Sequence, residues 1–486
     1  MPPLRDLFFQ RDAIRRSVIA SYWLAIILAL PLWWNTTTIY RLSLPSSRVE
    51  AIARNKLLLP ISICLVTNDH SLPGKLHHHL VRSTDYWKVL DVHIFGDLDC
   101  SSLGEGVYRV APGIGLPDLH GRTLLFPYQD EETLPALADA LSSLIVPYSS
   151  LPDREHRVAQ YSPRYRLAFS LLNEDASAGN VILNWDVKTA IHRHITPILR
   201  SLSMFHNFTI ESQVQFYAPL AFSPQLLEDG SYGLTHENLM VFINSAEWTL
   251  SSSASNDPVL HFILFVPSAD RKPLRILDAD GNPSTSNSFL LPQWGGIVLH
   301  NPSNFDESND ASILQASFSA FSHQLLSLLG IPQLPSGIRD TASDSSIREW
   351  QLDALLRRRT LENAKGSQDT LKSIIKLVDQ IENMPVGQDV KGDVEDALEE
   401  LTKMYGSATS SLQQTFRHSA LALGLASRAF FNPGMLALLY FPAEHKYAVY
   451  TPLFASAVIP LFVAALRELK AWRLQRKAAA ATGVQN

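Results

Sequence analysis

The chain has 486 residues, a formal net charge of −6, 46% hydrophobic residues and a mean hydropathy of +0.01. A mean hydropathy near zero is typical of neither a polytopic membrane protein nor a disordered chain. Because the charge is mild and Lys and Arg are scattered through the middle of the sequence, the composition argues against a nucleic-acid-binding surface.

The first predicted element is a membrane-spanning helix at Ser17–Trp34. No charged residue lies between Arg16 and Arg41, and about 20 apolar helical residues cross a hydrocarbon core of about 30 Å. Tryptophans stand near both edges of the run, as in the aromatic belts of membrane proteins. The run ends in PLWWN instead of small residues, so we predict an uncleaved signal anchor and not a cleaved signal peptide.

A second uncharged run, Tyr447–Leu466, lies near the other end of the chain. Basic residues flank the two runs on their outer sides, which makes a buried core helix the weaker interpretation of either run. By the positive-inside rule, both termini are cytoplasmic and everything between the two runs lies on the far side of the membrane. The basic residues are Arg5, Arg11, Arg15, Arg16, Arg467, Lys470, Arg473, Arg476 and Lys477.

The segment between the spans predicts a layered α/β domain, because strand-like and helix-like stretches alternate. Strands are expected at 57–67, 87–95, 165–172, 258–266 and 274–277, with two short strands at 288–300 hinged at Trp294–Gly296. Helices are expected at 131–145, at 311–329 and after Asp186, which can act as an N-cap. Residues 208–216 predict a half-buried strand with Phe208, Ile210, Val214 and Phe216 on one face.

From residue 346 helix-forming residues predominate, and we predict a helical arm that returns the chain to the membrane. The segment 429–441 is apolar but broken by Pro433–Gly434, and it can lie in the membrane interface before the second span. The predicted fold class is α/β, a large luminal mixed-sheet domain with a helical arm, flanked by two transmembrane helices. The predicted segments are 1–16 (cytoplasmic), 17–34 (transmembrane), 35–345 (luminal α/β domain), 346–446 (luminal arm and membrane-proximal segment), 447–466 (transmembrane) and 467–486 (cytoplasmic).

Few residues suggest chemistry, and for each of them the structural interpretation is stronger. We predict a solvated loop for His77–His79, with no carboxylate or cysteine at metal-ligand spacing. His192 and His194 diverge on a helix, and His236-Glu237 lacks the second histidine of a zinc motif. The glycine pairs Gly104/Gly106 and Gly113/Gly115 open no convincing helix, and Asp278 and Asp280 lie at a strand end and turn. We therefore expect no catalytic, cofactor or metal site.

The chain has two cysteines, Cys64 and Cys100. They could pair in an oxidising compartment, but the apolar run around Cys64 favours a buried inert thiol. Cys100 lacks the sequence context of known protease nucleophiles. Two alternatives stay open at this point: a luminal hydrolase or thiol enzyme that pairs Cys100 or Cys64 with a distant histidine, and a receptor-like binding domain.

Two N-glycosylation sequons occur, at Asn35 and Asn207. Because Asn35 adjoins the predicted membrane edge, we expect glycosylation at Asn207 alone.

Four stretches together resemble the PIG-S family. They are PLWWNTTTIYRLSLP at 31–45, LNWDVKTAIHRHITPIL at 183–199, LPQWGGIVLHNP at 291–302 and YFPAEHKYAVYTPLF at 440–454. The stretches around Asn207 and at 242–248 (FINSAEW) support the resemblance, which runs in register from the first span to the second.

The resemblance implies a subunit of the GPI transamidase in the membrane of the endoplasmic reticulum (ER). That complex removes the C-terminal signal of a precursor protein and joins the new carboxyl end to a GPI lipid. In the family the Cys-His nucleophile belongs to another subunit, PIG-K, and the further partners are PIG-T, PIG-U and a GAA-one type subunit. The resemblance thus implies a non-catalytic luminal scaffold that needs no cofactor and contacts ER membrane lipid.

Overall fold

A computed structural model shows the chain as two compact units. One, called the membrane unit below, combines Met1–Asn55, Ala364–Thr402 and Leu421–Asn486; the other, the sheet unit, combines Lys56–Asn363 and Lys403–Ala420. The structure describes residues 11–37, 41–83, 90–98, 100, 106–128, 131–146, 158–179, 182, 185–244, 247–250, 255–301, 310–340, 347–381, 384–436 and 443–482.

Strands and helices alternate along most of the sheet unit, and helices predominate after residue 349. The strands are β1 Leu59–Val66, β2 Leu90–Asp97, β3 Val107–Pro112, β4 Asp118–His120, β5 Thr123–Phe126, β6 Arg164–Asn173, β7 Asn207–Gln215, β8 Gln225–Leu226, β9 Tyr232–Leu234, β10 Val259–Val266, β11 Leu274–Ile276, β12 Ser288–Leu291, β13 Gly295–Leu299 and β14 Arg339–Asp340. The α-helices are α1 Asp12–Thr37, α2 Ser46–Arg54, α3 Leu72–Ser83, α4 Leu134–Ile145, α5 Val187–Ala190, α6 Thr196–Ser201, α7 His236–Met240, α8 Asp310–Leu329, α9 Glu349–Gln380, α10 Gln388–Ser407, α11 Leu412–Phe430, α12 Pro433–Leu436 and α13 Ala443–Thr482. A π-helical turn, Ile191–Ile195, joins α5 to α6. The predicted mixed α/β class with two terminal apolar helices is confirmed.

The first sheet has six strands in the order β14-β4-β5-β3-β1-β2. Strand β1 lies between β2 and β3 and is parallel to both. A central parallel strand is covered on both faces, which explains why its sequence reads as a continuous apolar run. The predictions at 57–67 and 131–145 are confirmed by β1 and α4. The prediction at 87–95 is confirmed by β2 from residue 90 onward, and residues 87–89 lie outside the described part of the chain.

The second sheet has five strands in the order β12-β13-β10-β6-β7, of which only β12 is antiparallel to its neighbour. Apolar clusters cover both faces of β6 and β10. In one cluster the ring of Phe169 lies 5.1 Å from that of Phe262 and 5.4 Å from that of Phe318, which belongs to α8. Burial of each such side chain contributes about 1.5–3 kcal/mol to folding.

The hairpin predicted at 288–300 is confirmed as β12 and β13. Its turn includes Gln293 at a φ of 60°, and β13 begins with two glycines. A Cβ atom at Gly295 would lie 2.0 Å from the carbonyl oxygen of His261. Only glycine therefore allows β13 to approach β10 this closely.

Strand β7 departs from the half-buried strand predicted from its alternation. Phe208, Ile210 and Val214 do lie on one face of the strand, but Ile210 and Val214 are 41% and 36% exposed, and Phe216, which follows the end of β7, is 53% exposed. The reason is position: β7 is the edge strand, whereas the apolar clusters cover the inner strands β6 and β10.

Helix α9 begins as a core element of the sheet unit. The Asp353 carboxylate accepts two hydrogen bonds from Arg122, at 2.9 and 3.1 Å, and one from the Tyr108 hydroxyl at 2.8 Å. The Arg357 guanidinium donates to the same hydroxyl at 2.7 Å. On another side of the helix Leu355 and Leu356 belong to the cluster under the second sheet. The amino-terminal half of α9 thus contacts both large sheets.

The membrane unit contains α1, α2, α12 and α13 together with parts of α9, α10 and α11. Buried aliphatic side chains fill its helical part, among them Leu371, Ile374 and Val394. The Arg428 guanidinium donates two hydrogen bonds to the Asp393 carboxylate, one of them at 2.8 Å. Two of its helices, over Ala13–Trp33 and Ala448–Lys477, are long and apolar enough to cross a membrane.

Candidate functional site: the membrane anchor and the predicted chemical residues

The two terminal helices pack against each other as an antiparallel pair. At one end the Glu468 carboxylate accepts hydrogen bonds from Arg15 at 2.6 Å and from Arg16 at 3.2 Å. At the other end the Trp33 ring stands edge-on to Tyr450 and Phe454, with centroid distances of 5.9 and 5.2 Å. These contacts at opposite ends fix the register of the antiparallel pair.

Most of the apolar surface of this helix pair remains uncovered by protein. None of the residues in either apolar window is buried. An open apolar groove of about 350 Å³ lies beside the Trp33 contact. In a membrane such apolar surfaces contact lipid chains or other helices. The groove is lined by Trp33, Tyr450, Thr451, Phe454, Ala455, Val458 and Ile459.

The two cysteines form a disulfide, which corrects the preferred prediction of an inert Cys64 thiol. The Cα atoms of Cys64 and Cys100 lie 6.0 Å apart, and both residues are buried. Strand β1 carries Cys64, and Cys100 follows the neighbouring parallel strand β2, so the sheet brings together two residues 36 positions apart. A nucleophilic cysteine acts as a free thiolate. Neither cysteine can serve as a nucleophile while the disulfide is intact.

The three consecutive histidines lie on helix α3, so the predicted loop is wrong. Leu72, Leu76 and Leu80 are buried at four-residue spacing, and this helical period is what the histidine cluster obscured. The rings of His78 and His79 are 6.2 Å apart and belong to an open crevice with the Lys75–Glu131 ion pair. Among the described residues no group of three or more His, Cys, Asp or Glu could hold a metal ion.

The other histidines that the sequence singled out lie in a helical turn or at the start of a helix. His192 and His194 lie in the π-helical turn, which follows the Asp186 cap. His236 begins α7 behind a capping box formed by Thr235.

The carboxylate of Asp278 accepts hydrogen bonds from the backbone N–H groups of Asp280 and Asn282, as in a turn. No helix begins at Gly113 or Gly115, while Gly104 lies outside the described residues.

In open α/β sheets, ligands usually bind at the carboxyl ends of the strands where the strand order reverses. In the first sheet the Tyr128 hydroxyl occupies this position and donates to the carbonyl oxygen of Val66 at 2.6 Å. In the second sheet the buried Glu174 carboxylate accepts from Arg271 at 2.6 Å and from the Ser268 N–H at 2.9 Å. The Tyr128 hydroxyl and the Glu174 carboxylate are thus bonded to groups of the protein itself.

Two further histidines, His206 and His261, are buried. The apolar run of β10 is a local signal for the burial of His261, whereas no comparable run surrounds His206. The His206 Nδ1–H donates to the carbonyl oxygen of Ser162 at 2.6 Å, and aromatic rings including Tyr161 and Tyr165 surround the imidazole. His261 stacks on Trp294 with a centroid distance of 4.5 Å. Burial lowers the pKa of each imidazole to about 4. Both histidines are therefore neutral at pH 7 and too weakly basic for general-base catalysis there.

Asn207 is the first residue of β7 and its side chain is exposed. Its backbone N–H donates to the carbonyl oxygen of Pro163 at 2.8 Å, which fixes the start of the strand. Asn35 is also exposed, but it lies within helix α1, two residues beyond the apolar window.

Comparison with known proteins identifies the family to which the chain belongs. The chain matches the family described as "Phosphatidylinositol-glycan biosynthesis class S protein" over residues 20–87 and 128–475. The chain belongs to the PIG-S family. The match includes most of both apolar helices and the whole second sheet, and it omits residues 88–127, which contain strands β2 to β5.

Relatives from animals and a fungus align along nearly the whole chain. A Bos taurus protein named "GPI-anchor transamidase component PIGS" is 30% identical, with 95% of this chain and 97% of the relative aligned. The Homo sapiens protein of the same name is 29% identical over the same shares. The "GPI transamidase component PIG-S homolog" of Schizosaccharomyces pombe is 29% identical, covering 96% of this chain and 86% of the relative.

Proposed function

We propose that this chain is a non-catalytic subunit of the GPI transamidase and supports the attachment of GPI anchors to the C-terminal signals of precursor proteins. The observation that carries the proposal is the family match, which extends from one apolar helix to the other. The relatives named as transamidase components align over almost their full length, so the likeness is not limited to one module.

The chain resides in the ER membrane with both termini in the cytoplasm and the sheet unit in the lumen. Clusters of Arg and Lys on the outer sides of both apolar helices support this orientation. The Cys64–Cys100 disulfide supports it independently, because such bonds persist in oxidising compartments and are rare in the cytosol. We retain the predicted segment boundaries, with 35–446 luminal, as part of this proposal.

The subunit leaves the bond chemistry to another protein of the complex. Both of its cysteines are in the disulfide, and the polar groups at the two sheet ends bond to protein. The catalytic Cys-His pair is proposed in PIG-K, with PIG-T, PIG-U and a GAA-one type subunit as the other partners. The alternative of a luminal thiol enzyme loses its support, since it required a free Cys64 or Cys100.

Affinity purification of the tagged full-length chain in mild detergent tests this proposal. The expected result is recovery of PIG-K, PIG-T, PIG-U and the GAA-one type subunit, identified by mass spectrometry. A matched control is the same chain with residues 447–466 replaced by an unrelated membrane span, which should recover fewer subunits. Purification of the intact chain without any of these subunits would contradict the proposal.

Asn207 is proposed as the glycosylated asparagine. Its exposed side chain at the start of an edge strand supports access by the glycosylating enzyme. Treatment of the purified protein with endoglycosidase should increase its gel mobility by one glycan, and Asn207→Gln should remove that shift. A shift that persists in Asn207→Gln and disappears in Asn35→Gln would assign the glycan to the other sequon.

A further inference from the structure

The outer edge of strand β7 has the properties of a site for strand addition. Within the described residues β7 pairs with β6 on one side only, in parallel register over Asn207–Gln215. At nine residues it is longer than an average strand. It contains neither Pro nor Lys, and its ladder to β6 has no bulge. Natural edge strands usually contain a Pro, a Lys or a bulge, because these features prevent an open edge from pairing with other chains.

The register identifies which backbone groups face outward. The Asn207 N–H donates to the Pro163 carbonyl oxygen, so Asn207 and every second residue after it bond to β6. Alternate residues of a strand point their N–H and C=O groups to opposite sides. The backbone groups of Ile210, Ser212 and Val214 therefore face away from the sheet.

The same residues expose an apolar face beside these backbone groups. Ile210 and Val214 are opposite Leu167 and Leu171 of β6, which are fully buried. The exposed face is thus continuous with the apolar cluster of the second sheet and ends uncovered at β7. The other face of β7 is polar, and two of its side chains bond to β6. Glu211 pairs with Arg166 at 3.1 Å, and the Gln213 amide donates to the Ser170 hydroxyl at 3.1 Å.

We propose that the outer edge of β7 binds an extended segment of another GPI transamidase subunit, which adds a strand to the second sheet. The occupant is an extended chain and not a helix, because only an extended backbone can hydrogen-bond to outward-facing groups at this spacing. Its side chains alternate, with apolar residues aligned beside Ile210 and Val214. This inference depends on the proposed function for the identity of the partner.

A glycan on Asn207 is compatible with strand addition. Asn207 is an odd-numbered residue of β7, so its side chain lies on the face opposite Ile210 and Val214. Its own N–H bonds to β6. The glycan would leave the apolar face and the outward-facing backbone groups accessible.

Ser212→Pro in the full chain tests the backbone contribution. Proline removes an N–H that makes no bond to β6, so the sheet should keep its pairing while the added strand loses one donor. Ser212→Ala keeps the N–H and is the matched control. Val214→Lys is the second variant; it places a charge on the exposed apolar face and does not alter the backbone.

Two readouts separate the outcomes. A photoreactive residue at position 212 should cross-link to one transamidase subunit within a single extended peptide, and Val214→Lys should lower the cross-link yield about tenfold, equivalent to about 1.4 kcal/mol. Recovery of that subunit should fall in Ser212→Pro and stay unchanged in Ser212→Ala, with the disulfide and the unfolding temperature preserved.

Several results would overturn the inference: a cross-link to a second copy of this chain, no cross-link at all, or equal recovery and yield in every variant while the other subunits still co-purify. Failure of the unaltered chain to recover any subunit would instead contradict the proposed function.

Discussion

The two large sheets of this protein are built alike but differ at their free edges. In each sheet the strand that comes first in the chain, β1 or β6, lies between two parallel neighbours. In each, protein hydrogen bonds occupy the position where ligands of such sheets usually bind.

At the edges, β2 exposes Asp91 and His93, which pair at 3.2 Å, whereas β7 exposes Ile210 and Val214. The two sheets thus share their architecture and differ in the chemistry of their exposed edges.

The sheets also depend on helix α9 in different ways. The first sheet contacts the helix through buried charges, with Arg122 and Tyr108 on the Asp353 carboxylate. The second sheet contacts it through apolar packing of Leu355 and Leu356. Substitutions in the buried charged contact and in the apolar contact should therefore change the free energy of unfolding by different amounts.

The largest effect is expected for Asp353→Ala. The substitution leaves Arg122 without its closest partner and the Tyr108 hydroxyl without its acceptor, at a cost of about 3–5 kcal/mol in the free energy of unfolding. Thermal unfolding of the purified full chain measures it. Glu349→Ala is the control, because Glu349 is half exposed and lies 3.6 Å from Arg122, which predicts less than about 1 kcal/mol. Equal effects would refute the buried network.

Replacement of both cysteines by serine should lower the stability of the first sheet by about 3 kcal/mol, since the disulfide constrains the unfolded chain. Transamidase activity of cells should persist wherever the variant still folds. Limited proteolysis measures the stability loss and a GPI-anchored reporter measures the activity. Loss of reporter anchoring with an intact fold would indicate a chemical role for the cysteines.

Acid should destabilise the second sheet through His206 and His261. Both are neutral in the folded state with pKa values of about 4, whereas unfolded histidines bind protons below about 6.5. Stability is therefore full above pH 6.5 and falls toward pH 4, by up to about 1.4 kcal/mol per pH unit for each histidine. Unfolding measured between pH 7 and 5 should show this slope, and His206→Phe should flatten it. An unchanged slope in that variant would mean that His206 does not contribute.

The smallest effect on stability is expected for Ile210→Lys, within about 0.5 kcal/mol, because the side chain is exposed at the sheet edge. The expected loss is in association with other subunits. His93→Lys on the polar edge β2 is the matched control and should change neither quantity. A large drop in unfolding temperature for Ile210→Lys would show that the apolar face of β7 is covered within this chain.

Elements with a strong local signal were predictable from the sequence. The two apolar helices, strands β1 and β6, helix α4 and the Asp186 cap follow from hydropathy, periodicity and capping chemistry. The PIG-S resemblance was likewise present in short motifs of the sequence and is confirmed by the family match.

Features that depend on distant residues were not predictable. The Cys64–Cys100 bond follows from the parallel pairing of β1 and β2, which no spacing rule reveals. Arg122 and Asp353 are 231 residues apart in sequence. The exposure of Ile210 depends on strand order, because the same alternation in an inner strand would be buried. These are tertiary effects, and local pattern contains no information about them.

Anchoring of a GPI-linked reporter in cells that lack this chain is the decisive measurement of the proposed subunit role. We expect the unprocessed precursor to accumulate, and re-expression of either the unaltered chain or its double cysteine-to-serine variant to restore surface anchoring. Normal anchoring in the absence of the chain would contradict it.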